Sequence, residues 1–311
     1  MLFSRPFRLL LIVLLGLPLS GCLFRSHKVQ RQYSTAPLKT ATQQELIAYI
    51  NTQASRIQSL QATVDIDTSV GGMKKGKVTD YQEIRGYVLV RKPSMLRMIG
   101  LMPIIRNRAF DMASEGNSFR LWIPPKNRFI VGRNNVEPAN SKQSLESIRP
   151  RQIYDALLIR RIEPQDEIAV MQNDYETVTD AKGHKVLQPD YEIDVIQKHG
   201  DGWFLSRKIV FSRTDLLPHR QLEYDVNGNL VTDTRYDNYK LHEGGIEFPW
   251  QTEIWRPQEE YDITLNIVKI ELNPNLPDDK FVLPQPPGAE VVHLGEPQAS
   301  QPPGSRGGSS G

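Results

Sequence analysis

Apolar and polar side chains alternate along most of this chain, which is the pattern of β-strands that bury one of their two faces. Val64 and Ile66, for example, alternate with Asp65 and Asp67. Further segments of this kind lie at 87–90, 95–99, 119–123, 129–131, 191–196, 203–211, 217–226, 230–239, 246–254 and 261–270. Because they recur roughly every 10–12 residues in the second half, with short turns between them, they predict an antiparallel meander rather than βαβ units.

Two regions interrupt this alternation with helical spacing. Thr42 and Glu45 are spaced as a capping box, ahead of an apolar stripe that begins at Leu46. One or two more helices are predicted between 140 and 160, where Pro150 stands near a helix start. We therefore expect a mainly β, α+β domain with a single large antiparallel sheet, which must curl or close because of its size. So few helices can cover only part of one face.

The first residues have the three parts of a secretion signal. Arg5 and Arg8 precede an apolar run at 9–17, which is shorter than the roughly 20 residues that span a bilayer as a helix. Leu19–Cys22 then matches the lipobox that bacterial lipoprotein-processing enzymes recognise. Cys22 is the only cysteine in the chain, so no disulfide competes for it. We predict a lipoprotein signal peptide over 1–21 and lipidation of Cys22; the alternative is an ordinary signal peptide with an incidental cysteine.

The rest of the chain divides by composition into three parts. Residues 22–40 are polar with scattered basic residues and are interpreted as a lipidated tether. Residues 41–293 form the predicted domain, and 294–311 are a tail rich in Pro, Gly and Ser that we expect to be disordered. Leu23 follows the lipobox, where an Asp retains lipoproteins at the inner membrane of enteric bacteria. We therefore expect a lipid-anchored protein of the outer membrane that faces the periplasm.

Charge and motif content argue against several classes of function. Without residues 1–21, Lys plus Arg falls from 38 to 36 and equals the 36 Asp plus Glu, so nucleic acid is not an expected partner. Gly71–Lys77 has the glycine spacing of a phosphate-binding loop, but Val78 stands where that motif needs Ser or Thr, and the segment is a predicted hairpin. The six histidines have no paired metal-ligand spacing, and no Gly-x-Ser-x-Gly elbow occurs. We expect no enzyme, no catalytic residue, no metal and no cofactor.

The order of elements and four local segments resemble a known family, the lipoprotein-sorting carriers and receptors with the LolA/LolB-like fold. Those segments are Ser59–Val64 after the first helix, Gly86–Pro93, Glu115–Pro124 and Phe281–Val292. The resemblance implies an open half-barrel whose N-terminal and middle helices act as a lid, and a chaperone-like concave side that binds acyl chains. Lys92 departs from the family pattern, since the soluble carrier has Arg before the proline, which leaves a role in latching the lid in doubt.

Two candidate sites follow from the residues and the resemblance. Leu101, Met102 and Ile104 stand where a polar turn is expected, and the family's membrane-anchored receptor carries an exposed apolar loop in a similar place. This loop either contacts a membrane or folds back under the sheet. The predicted acyl-chain groove comprises seven alternating apolar residues: Val64, Ile66, Val88, Val90, Phe119, Leu121 and Ile123. Alternation alone does not distinguish such a groove from a filled core.

The resemblance and the anchor together predict a function. We expect a membrane-anchored lipoprotein that binds acyl chains of lipoproteins or other lipids, in lipoprotein localisation or lipid trafficking at the outer membrane. Its expected partners are the membrane, an acylated ligand or lipoprotein, and a periplasmic carrier protein. The alternative is a structural or regulatory periplasmic lipoprotein that binds a protein partner.

Overall fold

The computed structural model of the chain describes residues 32–74, 76–134, 148–180 and 182–294. The predicted signal peptide, Cys22 and all but the first residue of the predicted tail lie outside these residues, and the predicted tether is described only from residue 32. The described residues divide into two compact units, of which the larger contains 36–174 and 189–294 and the smaller contains 32–35 and 175–188.

Two α-helices and fifteen strands are present in the described residues. Helix α1 spans Gln43–Arg56 and α2 spans Pro150–Leu157. The strands are β1 (Ser59–Gly72), β2 (Lys77–Asp80), β3 (Ile84–Arg91), β4 (Met95–Leu101), β5 (Arg108–Ser114), β6 (Ser118–Ile123), β7 (Arg128–Arg133), β8 (Glu167–Thr179), β9 (Lys185–His199), β10 (Gly202–Ser212), β11 (Pro218–Tyr224), β12 (Leu230–His242), β13 (Ile246–Arg256), β14 (Tyr261–Leu272) and β15 (Glu290–His293). The mainly β prediction with few helices is therefore confirmed.

All strands belong to one open sheet. Its order is β15-β7-β6-β5-β4-β3-β1-β14-β13-β12-β11-β10-β9-β8, with β2 paired to β1, and β15 and β8 are its edges. The sheet is therefore not closed into a barrel, as the half-barrel prediction requires.

One pair of strands corrects the prediction of a fully antiparallel sheet. Strand β15 pairs with β7 in parallel, Val291 opposite Phe129. The reason lies in the segment 274–289, which returns along the outward face of the sheet before β15 begins. Arg97 donates to the carbonyl oxygen of Lys280 at 3.0 Å, and Arg120 donates to that of Leu283 at 3.3 Å. These contacts lead the chain back across the sheet before β15 begins, so β15 runs beside β7 in the same direction.

The concave face of the sheet carries the main apolar core, and α2 packs on it through Ile153, Ala156 and Leu157. Helix α1 covers a second apolar cluster through Leu46 and Ile50, which pack among buried residues of β9 and β10. Both helices thus bury their apolar faces on the sheet, which is the main source of stability for helices this short.

One end of the sheet is important for the site, and we name it the loop end. Strand β4 finishes there and β3 and β5 start there, because Ile66 pairs with Ile84, Arg85 with Leu101, and Leu101 with Arg108. Strand β1 continues beyond this point to pair with β2. The smaller unit is simpler: Tyr33 forms a parallel bridge with Leu187, and its ring meets that of Tyr175 edge-on at 6.1 Å.

Candidate functional site

An apolar cavity of about 290 Å³ lies at the loop end of the larger unit. It is bounded by β1, β3 to β6, β14, α2 and the connections at 81–82 and 102–107. Its lining residues are Ile66, Thr68, Tyr81, Gln82, Ile84, Met98, Met102, Pro103, Ala109, Phe110, Met112, Leu121, Ile123, Ile148, Ile153 and Ile263. Only Thr68, Tyr81 and Gln82 bring polar groups to this wall, so the interior suits an apolar guest.

The predicted groove residues fall into two sets. Ile66, Leu121 and Ile123 line the cavity. The other four, Val64, Val88, Val90 and Phe119, are buried in the filled core and do not line it. The filled part of the core lies farther from the loop end, since Val90 pairs with Leu60 of β1 and Leu96 of β4. Alternation identified the buried face, whereas the position along each strand separates open cavity from packed core.

Phe119 shows how the filled part of the core is closed. Its ring lies against Gly132, where a Cβ atom would come 2.7 Å from Phe119 Cε1. The guanidinium of Arg149 lies over the same ring, 5.1 Å from its centroid. Burial lowers the pKa of Arg149. Phe119 is thus held between a glycine and a cation, and no space is left for a ligand on either side.

The predicted membrane loop connects β4 to β5 at the mouth of the cavity. Met102 is half-buried and lines the cavity, while Leu101 belongs to the end of β4. Ile104 projects with 98% of its surface exposed, and the sequence prediction omitted the neighbouring Ile105, which is also exposed. The loop therefore divides: Met102 turns under the sheet, and Ile104 turns away from it.

The backbone explains this division of the loop. The N–H of Ile105 donates to the carbonyl oxygen of Pro103 at 2.8 Å, and φ of Ile104 is 69°. These are features of the rarer, positive-φ γ-turn, which is strained for a β-branched residue. The N–H of Met102 donates to the carbonyl oxygen of Asn107 at 2.7 Å, which closes the loop below the turn. Ile104 is thus held at the apex of a closed loop.

The other half of the sheet buries several polar side chains among its apolar ones, which sequence reasoning missed. Strands β10 to β13 bury Arg207, Gln221, Thr232, Thr234, Thr252 and Arg256. The signal was present in the sequence as polar residues at the inward positions of these strands, and no prediction was drawn from them. None of these strands lines the apolar cavity, whose wall comes from β1, β3 to β6, β14, α2 and the adjoining loops.

A buried ion pair lies in this half of the sheet. Glu167 accepts from Arg160 at 2.7 Å and from Arg207 at 3.3 Å, and both Glu167 and Arg207 are buried. Arg207 also donates to the carbonyl oxygens of Arg160 and Arg161, each at 2.7 Å. Burial lowers the pKa of Arg207. These bonds hold the segment after α2 against β10.

Lys92, which departs from the family pattern, contacts helix α1. Its Nζ donates to the carbonyl oxygen of Ala54 near the end of that helix. Burial lowers the pKa of Lys92, with repulsion from Arg161 acting in the same direction. A small space of about 50 Å³ lies beside this contact, lined by Tyr49, Ile57 and other residues beneath α1. The lysine thus makes a tie to α1 from β3.

The segment with the glycine spacing of a phosphate-binding loop does not have the strand and helix that flank such a loop. Gly71–Lys77 lies at the turn between β1 and β2, as predicted, and not between a strand and a helix. Among the described residues, no group of three His, Cys, Asp or Glu side chains could hold a metal ion. Nor does any helix within the described ranges have the length and apolar character needed to cross a membrane.

Comparisons with known proteins concern the fold. No protein-family model matches the sequence, and neither does any curated protein. A LolA superfamily protein from Nitrosomonas europaea is similar in structure, with 16% identity, a TM-score of 0.46 and coverage of 78% of this chain and 99% of that one. A DUF1329 family protein from Desulfovibrio piger has 15% identity, a TM-score of 0.49 and coverage of 76% and 95%.

A third similar structure is a domain from Vibrio parahaemolyticus described as an outer membrane lipoprotein-sorting protein. It has 11% identity, a TM-score of 0.43 and coverage of 76% of this chain and 94% of that one. Two of the three thus carry names from the family that the sequence resembles. Because the identities are 16% or lower and the TM-scores are below 0.5, we base the function on the geometry of the cavity.

Proposed function

We propose that this protein is a non-enzymatic carrier or receptor that binds the acyl chain of a lipoprotein or another lipid. The observation that carries the proposal is the cavity of about 290 Å³, whose wall is apolar except for three residues. An engineered apolar cavity of about 150 Å³ binds benzene, so a space of this size suits part of a hydrocarbon chain. Each buried CH₂ group would contribute about 0.8 kcal/mol to binding.

The loop at 102–107 gives the cavity a route to a membrane. Met102 and Pro103 line the mouth, and Ile104 projects from the same loop. An acyl chain that leaves the cavity past Met102 would enter the phase that Ile104 contacts. In this scheme Leu101, Met102 and Ile104 act as the membrane-contacting loop, and Ile66, Leu121 and Ile123 hold the chain.

We further propose that the protein acts while anchored. Cys22, which lies outside the described residues, would carry the lipid, and Leu23 after it favours the outer membrane, with the domain facing the periplasm. A lipid-bearing periplasmic carrier would then deliver the ligand to the cavity. Strands β10 to β13 do not line this cavity, and the buried Arg207 there is already paired with Glu167.

A second candidate function is the binding of a protein partner in a structural or regulatory role. It is favoured by the edge strand β8, where Ile168 and Val170 are both exposed on the same face. An edge strand with exposed apolar side chains is a template for pairing with another chain. Under this alternative the sheet edge rather than the cavity would carry the function.

Native mass spectrometry of the full-length protein purified from cells in a mild detergent tests the proposal. We expect a fraction of the protein to retain a lipid or acylated ligand beyond the covalent anchor. Ala109→Phe should fill the cavity and abolish this retention, whereas Ala109→Ser is the matched control that keeps the space open. Absence of retained ligand in wild type, or equal retention in both variants, would favour the partner-binding alternative.

A further inference from the structure

We propose that the hairpin between β1 and β2 is a second membrane-contact site, which together with the loop at 102–107 seats the mouth of the cavity on an anionic lipid surface. We name residues 72–74 and 76–78 the hairpin tip. The inference deepens the proposed function, on which it rests for the role of the cavity. It assigns a function to the glycine- and lysine-rich segment that the sequence analysis singled out and that phosphate binding does not explain.

Exposure is the first observation. Met73 at the apex of the hairpin tip has 99% of its surface exposed, and Val78 is also exposed. Ile104 at the apex of the neighbouring loop is exposed to nearly the same extent. Large apolar side chains placed wholly in water at two apices gain free energy when they enter a hydrophobic phase.

The register of the strands places both apices at the loop end of the sheet. Strand β1 pairs with β3 as far as Ile66 and then with β2 from Ser69, so β2 continues the row of β3. Strand β4 occupies the next row, about 4.8 Å away, and ends in the loop at 102–107. The hairpin and the loop therefore project in the same direction from neighbouring rows.

The mouth of the cavity lies between these two projections. Thr68, Tyr81 and Gln82, at the base of the hairpin, line one side of it. Met102 and Pro103 line the other side. A flat surface that receives both apices would therefore also cover the mouth, so that a chain could pass between cavity and bilayer with little exposure to water.

The basic residues of the hairpin tip and of the loop at 102–107 favour anionic over neutral lipids. The hairpin tip contains Lys74 and Lys77 and no acidic residue. The loop contributes Arg106, and Arg108 follows it at the start of β5, again without an acidic residue between them. Lys and Arg side chains held near an anionic lipid surface are attracted to it. Basic side chains that flank an apolar apex are typical of proteins that bind the interface of anionic membranes.

One carboxylate touches the hairpin tip: Glu260, which is buried, accepts from the backbone N–H of Lys74, so Lys74 and Lys77 leave the tip with a net positive charge. Lys74 Nζ donates to the carbonyl oxygen of Gln258 at 3.2 Å, and Arg108 pairs with Asp111 at 3.1 Å. Asp80 and Glu83 lie in and after β2, closer to the body of the sheet than the hairpin tip. Each apex is one or two side chains wide, whereas a protein interface needs a broad contiguous patch. A lipid surface accepts such separate points of contact.

The test uses the full-length protein reconstituted in vesicles. A thiol-reactive, environment-sensitive fluorophore is attached after Met73→Cys, Ile104→Cys or, as the control, Leu241→Cys. Leu241 is also exposed but lies near the opposite end of the sheet, where β12 turns into β13. Brominated lipids then report contact by quenching. Wild type treated with the same fluorophore reports any background labelling at Cys22.

Vesicles of phosphatidylcholine alone are compared with vesicles that also contain phosphatidylglycerol. We expect quenching at positions 73 and 104 with the anionic vesicles, less with the neutral ones, and none above background at 241. Lys74→Glu/Lys77→Glu should remove quenching at 73 and weaken it at 104, whereas Lys269→Glu, an exposed change far along β14 from the tips, should have no effect.

The outcomes separate the inference from the proposed function. Quenching at 104 but not at 73 would overturn the hairpin site and leave the loop in place, and equal quenching in both kinds of vesicle would overturn the role of charge. Ala109→Phe, which blocks the cavity, should leave all quenching unchanged, so a failure of acyl binding would not mimic a failure of membrane contact. Binding of a soluble acidic protein at the tips without any quenching by lipid would also contradict the inference.

Discussion

Gly86 and Gly100 face each other as direct register partners on β3 and β4, beneath the side chains that line the cavity. A Cβ atom on Gly86 would come 2.5 Å from Ile66 Cδ1, and one on Gly100 would come 2.4 Å from Phe110 Cε1. Both distances are shorter than van der Waals contact. Glycine at these two positions therefore lets Ile66 and Phe110 lie flat against the floor of the cavity.

A larger residue at Gly100 should lower both the stability of the protein and the volume of the cavity. We expect Gly100→Ala to lower the free energy of unfolding by about 1–3 kcal/mol, because the ring of Phe110 must move into the cavity. Retained lipid in native mass spectra should fall as well. Gly202→Ala is the matched control, since its Cβ would meet only the carbonyl oxygen of His199 at 3.8 Å. A similar loss of stability in both variants would contradict the close approach described here.

At Ile104, one substitution should raise the stability of the protein and at the same time weaken its contact with membranes. Its φ of 69° is unfavourable for a β-branched residue but accessible to Asn. We expect Ile104→Asn to raise the free energy of unfolding by up to about 1 kcal/mol, because a strained φ costs this much or more. Vesicle contact at the loop should weaken in the same variant. Ile105→Asn, an exposed neighbour, should bring no gain in stability, and equal gains would argue against strain at position 104.

The stability of the protein should fall as pH rises through neutrality. Burial raises the pKa of Glu223 to about 7, and repulsion from Asp155 on α2 adds to the shift, while Arg207 and Arg256 oppose it. A carboxyl group whose pKa is higher in the folded than in the unfolded state stabilises the fold at low pH, and this contribution is lost as pH passes the folded pKa.

Urea unfolding between about pH 5 and pH 8 measures this effect. Wild type should lose more stability over the interval than Glu223→Gln, in which the titrating group is replaced by a neutral one. Asp262, whose pKa burial raises to about 6, contributes in the same direction and should leave a residual slope in the variant. Identical slopes for wild type and variant would rule out Glu223 as a source.

The pair of Glu167 and Arg207 should be costly to break. We expect Glu167→Ala to destabilise the protein by about 3–5 kcal/mol, since it leaves a buried guanidinium without its carboxylate. The half-exposed pair of Arg85 and Asp65 provides the comparison, and Arg85→Ala should change the unfolding midpoint far less. Thermal unfolding followed by circular dichroism measures both. Comparable losses would show that burial does not distinguish the two ion pairs.

The local sequence pattern was enough to predict the helices and strands whose stabilising contacts are close together in the sequence. The capping box of α1 is present, with the Glu45 N–H donating to Thr42 Oγ1 at 3.3 Å and the Thr42 N–H donating to Glu45 Oε2 at 2.7 Å. Most strands were predicted for the same reason, since each pairs with a strand next to it in the sequence. Strand β8 was missed because most of its residues are exposed or half-buried, so that no buried face marks it. The parallel pairing of β15 was missed because its partner β7 lies far away in the sequence.

Val64 and Ile66 mark the limit of what the sequence determined. Both stand on one face of β1, both are buried, and the period of two identifies that face without further information. Only Ile66 borders the cavity, because the space above it is set by α2, by the loop that carries Met102 and by Gly86 across the strand pair. The alternation along one strand specifies to which face of the sheet each side chain points. Whether the space in front of that side chain is filled depends on side chains from several segments that are distant in the sequence. The face that is buried therefore belongs to the sequence, and the part of it left open belongs to the tertiary structure.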